Sequence, residues 1–252
     1  MSNLKNLYIM INITIAKNEA EFDSLAAWRV IHEIGNNPQA VIGLSTGKTT
    51  KNMHAIIGRI YQEYPFDVSG ITLFGVDEVT NVPREYKGAC YTMLKTQIID
   101  ALGITEENFI MPPTISGDWT KDCRLFTEKL AARGGIDLQI LGLGENGHLG
   151  FNQPGTPFES ETYISKMDEV LEARIRKETN TPPEKELGGL TLGIKNIMHA
   201  RKIVLVAKGA SKAAIVEKIL RGPITTDVPG SVLQLHPNCE FLLDEASAKY
   251  II

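Results

Sequence analysis

The chain has 252 residues, 43% hydrophobic and 22% charged, with 26 Lys and Arg against 30 Asp and Glu and a net charge of −4. That length suits one large α/β domain or two small ones with a substantial core. The acidic balance and the lack of a Lys/Arg stripe exclude general nucleic-acid affinity.

Taken in chain order, the pattern opens on "LYIMINITIA", residues 7–16. This segment is too short to span a bilayer and lacks a small-residue cleavage site, so it is predicted as a strand, with no sign of secretion or a membrane anchor. Residues 18–35 read as a helix whose apolar positions are Phe22, Leu25, Ala26, Trp28, Val30 and Ile34, with Trp28 fitting least cleanly. "QAVIGLS" is a second strand, 49–63 a second helix and "GITLFGV" a third strand. A polar loop, "DEVTNVPREYKG", leads to a helix near 90–101, a short strand "ENFIMP" and a helix over 118–133. "IDLQILGLG" shows no alternation, as expected of a strand buried on both faces.

Beyond a glycine-rich loop the pattern blurs: 168–178 is weakly helical, "NTPPEKELGG" reads as a loop and "TLGIKNIMHA" as a short helix. "KIVLVAKG" is another buried strand and "ASKAAIVEKILRG" a helix; "SVLQLHPN" and "CEFLLDEA" complete the chain as short strands or sheet edges. This alternation predicts one α/β domain over 1–252, a mostly parallel sheet with helices on both faces. Cys90, Cys123 and Cys239 are odd in number and never spaced as CxxC. They read as free thiols in a reducing cytoplasm, and the histidine spacing gives no metal signature.

Four polar motifs each follow a predicted strand, where ligands of open α/β sheets sit. "GLSTGKTT", Gly43–Thr50, offers hydroxyls and N–H groups at a helix start, which suits phosphate. It is not a Walker A loop, because the required first glycine falls at Ile42. "FGVDEV" places Asp77 and Glu78 at a strand end, where a partly buried acid can act as a general base. A solvated loop would give the same spacing. "GLGENGHLGFNQPG", Gly142–Gly155, holds five glycines and His148, an imidazole able to shuttle protons near neutrality. "AKGASKAA" offers Lys208 and Lys212, either able to complete an anion site or simply to end a helix in solvent.

In this order, "GLSTGKTT", "VDE", "LGLGENGHLGFNQPG", "LTLGIKNIMHARKIVLVAKGASKA" and "LQLHP" resemble the glucosamine-6-phosphate deaminase/isomerase family, including its galactosamine-6-phosphate branch. The resemblance runs from about residue 40 to 240. The wider superfamily also holds 6-phosphogluconolactonases, but "GHLGFNQPG", "LTLGIKNI" and "LQLHP" look like the deaminase branch. The resemblance implies a Rossmann-like fold and an aldose–ketose isomerase/deaminase, grouped with hydrolases acting on aminosugar phosphates. Such an enzyme converts an aminohexose 6-phosphate to a ketohexose 6-phosphate and ammonia without metal or organic cofactor. It implies a sugar-phosphate ligand, no nucleic-acid or membrane partner, and leaves a homo-oligomer open. By motif position, Asp77 would remove the C2 proton, and His148 would open the ring with Asn146 and Gln153 at the relay positions beside it. Thr46, Gly47, Lys48, Thr49 and Lys212 would hold the phosphate, with Arg174, Arg176 or Lys177 as a further cation.

The chain departs from the family pattern at Gln153, where Glu is commonest, at Asn146, where many members have Asp, and at Lys48, where glycine is usual. Glutamine cannot exchange a proton as a carboxylate does, and asparagine cannot stabilise an imidazolium by charge. "SETYISK" stands where allosterically activated members carry an Arg-Thr-Arg-x-Lys pattern, so that activation is not expected. Two rival functions follow from these departures. One is a lactonase in which His148 activates water; the other is a sugar-phosphate sensor that has lost both loop carboxylates.

Overall fold

The computed structural model describes residues 11–252. Seven strands form a parallel sheet: β1 (Asn12–Ala16), β2 (Val41–Leu44), β3 (Thr72–Gly75), β5 (Phe109–Ile110), β6 (Leu138–Gly142), β9 (Lys202–Ala207) and β10 (Cys239–Asp244). Their order is β1-β10-β9-β6-β2-β3-β5. The first expected strand is therefore present from Asn12; its positions 7–10 lie outside the described residues. A three-stranded antiparallel sheet, β4 (Asp77–Thr80), β8 (Gly188–Thr191) and β7 (Tyr163–Lys166), flanks the parallel one.

Helices cover both faces, as the alternation predicted. On one face lie α1 (Glu19–Asn36), α2 (Lys51–Glu63) and a helical stretch made of α3 (Cys90–Leu94), a π-helical turn (Lys95–Ile99) and α4 (Asp100–Leu102). On the other lie α5 (Trp119–Ala132), α7 (Ile194–Met198) and α8 (Ala213–Arg221). The period-2 geometry of a strand divides its residues between these two cores. Ile203 and Leu205 of β9 enter the α5/α8 core, and Val204 and Val206 enter the α1/α2 core. In β3, Leu73 and Phe74 divide in the same way, and the Phe74 ring meets Phe126 edge-on at 6.4 Å. Truncating Phe74, which is fully buried, removes roughly 3–5 kcal/mol. A third, smaller core of Val79, Val82, Phe151, Met167, Ile175 and Leu187 joins the antiparallel sheet to α6 (Glu169–Thr179).

Local sequence explains where the helices begin. Asn18 caps α1 by accepting from the Glu21 N–H, and Asp118 caps α5 by accepting from Lys121. In α1, Phe22, Ala26, Val30 and Ile34 are buried, whereas Trp28 is 52% exposed.

The structure corrects three sequence expectations. The polar loop expected after β3 begins as a strand, β4, because Asp77 to Thr80 pair with Thr191 to Gly188. Its charged residue Glu78 tolerates full burial because three backbone N–H groups satisfy its carboxyl. The glycines that end "NTPPEKELGG" belong to β8 rather than to a loop. Gly189 is needed there because a Cβ would lie 2.3 Å from the Phe151 ring. "SVLQLHPN" is not a strand: Pro229–Leu235 form a 3-10 helix. Pro229 pre-sets its first turn, and Ser231 Oγ holds it by accepting from Thr225 N–H and donating to Thr225 O.

Candidate active site

The chain proceeds from β2 outward through β3 to β5, then returns to place β6 on the other side of β2. The sheet therefore has its topological switch point between β2 and β6, which opens a crevice at their carboxyl ends. The loop 45–50 follows β2 and the glycine-rich loop 143–155 follows β6. Asp77 enters from the start of β4, just past β3, and Lys212 from the segment after β9.

Asp77 keeps part of its surface open, yet its surroundings push its carboxyl up from the ordinary range to about 6, burial being the cause. Cys90 Sγ donates to Asp77 Oδ1 at 3.4 Å, which partly offsets that rise. The neighbouring Glu78 points the other way. Its Oε1 accepts from the N–H groups of Val79 and Cys90 at 2.8 and 2.7 Å, and its Oε2 from Tyr91 at 2.7 Å. Burial outweighs these bonds and raises Glu78 to about 7, with the charge of Asp77 adding to the rise. The pair first read as adjacent acids thus divides: Asp77 faces the crevice, and Glu78 is locked to the start of α3.

Two glycines let the loop close over this site. A Cβ on Gly144 would lie 2.3 Å from His148 Nδ1 and Cε1, so the imidazole rests directly on the Gly144 backbone. Gly150 has φ +57°, and its Cβ would stand 2.9 Å from Thr191 Oγ1 and 3.2 Å from Asp77 Oδ2. The loop that carries His148 therefore passes against the Asp77 carboxyl. Asn152 holds this arrangement from below, its Nδ2 donating to the carbonyls of Leu149 and Leu192.

The hydrogen-bond chain beside His148 fixes which atoms carry protons. The His148 backbone N–H donates to Asn146 Oδ1 at 3.1 Å. A backbone N–H can only donate, so Asn146 must present oxygen at that point. Asn146 Oδ1 also lies 2.7 Å from His148 Nδ1, which must then be the protonated ring nitrogen. His148 Nε2 keeps a lone pair. Asn146 Nδ2 in turn donates to Gln153 Oε1 at 3.0 Å, which orients the glutamine and leaves its Nε2 to donate elsewhere. Burial lowers the His148 pKa, the charge of Lys212 lowers it further and Asp168 opposes them. The neutral imidazole is accordingly the favoured form at neutral pH.

The loop after β2 is tied down by Ser45 Oγ, which donates to Ile140 O, and by Thr50 Oγ1, which donates to Ser45 O. Thr46 Oγ1 lies 3.3 Å from Cys90 Sγ. Gly47 has φ +130° and opens the turn into α2. Lys48 stands exposed beside it, and Thr49 is half-buried. Lys212 senses His148 and Glu145 electrostatically, so it belongs to the same crevice, and burial lowers its pKa. Lys208 does not belong there: its Nζ bonds Glu19 and the buried Asp23 at 2.8 Å each. Of the α6 cations, Arg176 is committed to Glu172 and to Pro182 O. Arg174 and Lys177 are exposed.

Motif spacing does not point to Cys90, Thr191 or Asp168, which the fold brings to this crevice. Only Asp168 leaves a local trace, as the acidic cap of α6 that accepts from Leu171 N–H. A separate cleft of about 760 Å³ lies at the β5 edge, lined by Arg84, Tyr91, Glu106, Asp122 and Arg133 among others. Its Arg84, Tyr91 and Glu106 already bond one another, so its volume exceeds its chemical readiness. Among the described residues no three His, Cys, Asp or Glu side chains are grouped to hold a metal ion, and no helix is long and apolar enough to cross a membrane.

Comparison with known proteins places the chain in a family. A family model described as glucosamine-6-phosphate isomerases/6-phosphogluconolactonase matches residues 20–240. A glucosamine-6-phosphate deaminase of Clostridium perfringens is 32% identical over 244 residues, covering 96% of this chain and all of that protein. One from Thermoanaerobacter pseudethanolicus is 33% identical, covering 96% and 95%. Among solved structures, a monomeric glucosamine-6-phosphate deaminase superposes with a TM-score of 0.87 at 28% identity, over 95% of this chain and 99% of that one. The 6-phosphogluconolactonase of Trypanosoma brucei, at 19% identity and a TM-score of 0.77 over 96% and 99%, shares the fold. The chain belongs to the glucosamine-6-phosphate isomerase/6-phosphogluconolactonase family.

Proposed function

We propose that this protein is an aminosugar-6-phosphate deaminase/isomerase, acting at the crevice between β2 and β6. The observation that carries the reading is the pairing of two proton-handling groups on one loop path. Asp77 is a partly open carboxyl with a raised pKa, and His148 presents an unprotonated Nε2 from the loop that packs on Asp77.

The phosphate group binds at the start of α2, where Thr46, Gly47, Lys48 and Thr49 offer hydroxyl and N–H donors and the helix dipole favours an anion. Lys212 supplies positive charge from the opposite side. Binding energy at this non-reacting end positions the sugar for chemistry. His148 Nε2 accepts the C1 hydroxyl proton and returns one to the ring oxygen, which opens the pyranose to the aldehyde. Gln153, held by Asn146, donates from its Nε2 to a sugar oxygen and exchanges no proton. Asp77 then takes the C2 proton, acidified by the adjacent aldehyde, and the resulting enolamine accepts a proton at C1. The C2 imine adds water and loses ammonia, leaving a ketose 6-phosphate. A carboxylate near pKa 6 is largely ionised at neutral pH yet remains a stronger base than an ordinary one. The reaction is thus an aldose–ketose isomerisation with loss of ammonia, and the water consumed enters only at the imine.

Lactone hydrolysis is the second reading, favoured by the uncharged Asn146–Gln153 relay, which needs no second carboxylate. Ammonia release from glucosamine 6-phosphate and galactosamine 6-phosphate, offered separately, tests both. Release from one sugar, lost in Asp77→Asn, supports the deaminase reading and names the epimer. A folded protein that releases ammonia from neither sugar but hydrolyses 6-phosphogluconolactone overturns it.

A further inference from the structure

Cys90 is 5% exposed and lies at the first residue of α3, away from the motifs that carry the family likeness. Its sulfur stands between two parts of the crevice, 3.3 Å from Thr46 Oγ1 on the phosphate loop and 3.4 Å from Asp77 Oδ1. Its position is not free. Glu78 accepts from the N–H groups of both Cys90 and Tyr91, so the residue after Asp77 anchors the helix start that presents the thiol to Asp77.

The proton directions follow from chemistry. An ionised Asp77 can only accept, so the Cys90 S–H must point to it. The Thr46 hydroxyl is then the group that donates to sulfur. Burial and the nearby carboxylates of Asp77 and Glu78 push the Cys90 pKa well above the usual thiol range, so it remains a donor throughout the working pH range.

We propose that Cys90 is a positioning residue for the proton transfer: its S–H orients the Asp77 carboxyl toward C2 and couples that carboxyl to Thr46 of the phosphate loop. The proposal rests on the reading of Asp77 as the base. A thiol suits the task because it is a weak donor. It fixes one carboxylate oxygen while leaving the carboxylate basic, whereas a hydroxyl that closed on Oδ1 would stabilise the anion and weaken the base. Through Thr46, occupation of the phosphate site changes the partner of the thiol, so binding at the far end of the substrate is felt at the base. The groups around Asp77 are Glu78, adjacent in β4 with its carboxyl turned away, Cys90 from α3, and the His148 loop with Thr191 on the remaining side.

The test compares Cys90→Ala and Cys90→Ser in the full chain by the pH dependence of kcat and kcat/KM for ammonia release. Loss of the donor in Cys90→Ala lowers kcat about tenfold with KM little changed, and moves the acid limb to higher pH. Cys90→Ser restores a donor, recovers kcat relative to Cys90→Ala, and moves the acid limb below that of the wild type. A packing role predicts that the two smaller side chains behave alike. Equal rates with unmoved acid limbs in both variants overturn the proposal. A readout independent of turnover is the infrared S–H band that disappears in Cys90→Ala. It shifts as pH crosses the Asp77 titration, and an indifferent band contradicts the assignment. Asp77→Asn separates the two claims: if it still releases ammonia, the reading of the base has failed. If it is inactive while the Cys90 variants match the wild type, only this inference has.

Discussion

The β3–β4 junction and the glycine-rich loop meet in one crevice but solve opposite problems. The junction concentrates ionisable groups away from water: Asp77 rises to about 6 and Glu78 to about 7, both through burial. The loop sets hydrogen-bond direction beside His148 with neutral groups. Asn146 and Gln153 are neutral amides, and they set the tautomer of His148 rather than its charge. In the proposed mechanism the junction governs how strongly a proton is held, and the loop governs where it goes. The proposed mechanism needs no second carboxylate beside the histidine, which accommodates Gln153.

Four substitutions sharpen that contrast. The largest effect is expected at the junction: Asp77→Asn lowers the rate of ammonia release by about 10³-fold. It should also raise the Tm at neutral pH. The raised pKa means that the fold favours the protonated acid, so ionisation weakens the fold as pH climbs from the ordinary carboxylate range through 6. Asparagine is neutral throughout, and its advantage should close as pH falls below that range. Thermal melts at several pH values read both ends. On the loop, His148→Gln removes the lone pair at Nε2 and should cost about 10²-fold in kcat, with the steady-state rate as readout. A substrate supplied in its open-chain form should recover much of that loss.

Glu78→Gln places an amide N–H₂ against backbone N–H donors at the start of α3. It should lower stability by about 1–3 kcal/mol in denaturant titration, and reduce kcat without binding substrate directly. The smallest effect belongs to Gln153→Glu. A carboxylate oxygen can still accept from Asn146 Nδ2, and its charge favours the imidazolium. The His148 pKa, followed by NMR, should rise, while kcat changes by less than about tenfold.

The two regions also differ in how far they were legible in sequence. Strand–helix alternation showed the parallel sheet, because burial on both faces leaves long apolar runs such as "KIVLVAKG". Those runs end where the crevice opens, so Asp77, His148 and the Thr46 loop could be placed at strand ends before their contacts were known. The antiparallel sheet was not legible. Its β4 reads as "DEVT", whose buried Glu78 is satisfied by the N–H of its neighbour Val79 and by two more from α3, twelve and thirteen residues later. Its β8 uses glycines for close approach to Phe151, and by composition these resemble a turn. Cys90 was hidden for the same reason: its role lies in contacts to residues 44 and 13 positions away, not in spacing. Spacing alone left Lys208 and Lys212 equal; the family resemblance favoured Lys212, and the fold adds that Lys208 is committed to Glu19 and Asp23.

The central claim is that Asp77 moves the C2 proton. It is tested most directly by running the reaction in D₂O, with whichever aminosugar phosphate releases ammonia, and following C2 of substrate and C1 of product by NMR. The wild type should deliver solvent deuterium to C1 of the product, and Asp77→Asn should leave the C2 proton of the substrate unexchanged. Exchange at C2 that persists in a folded Asp77→Asn protein would contradict the account and assign the base elsewhere.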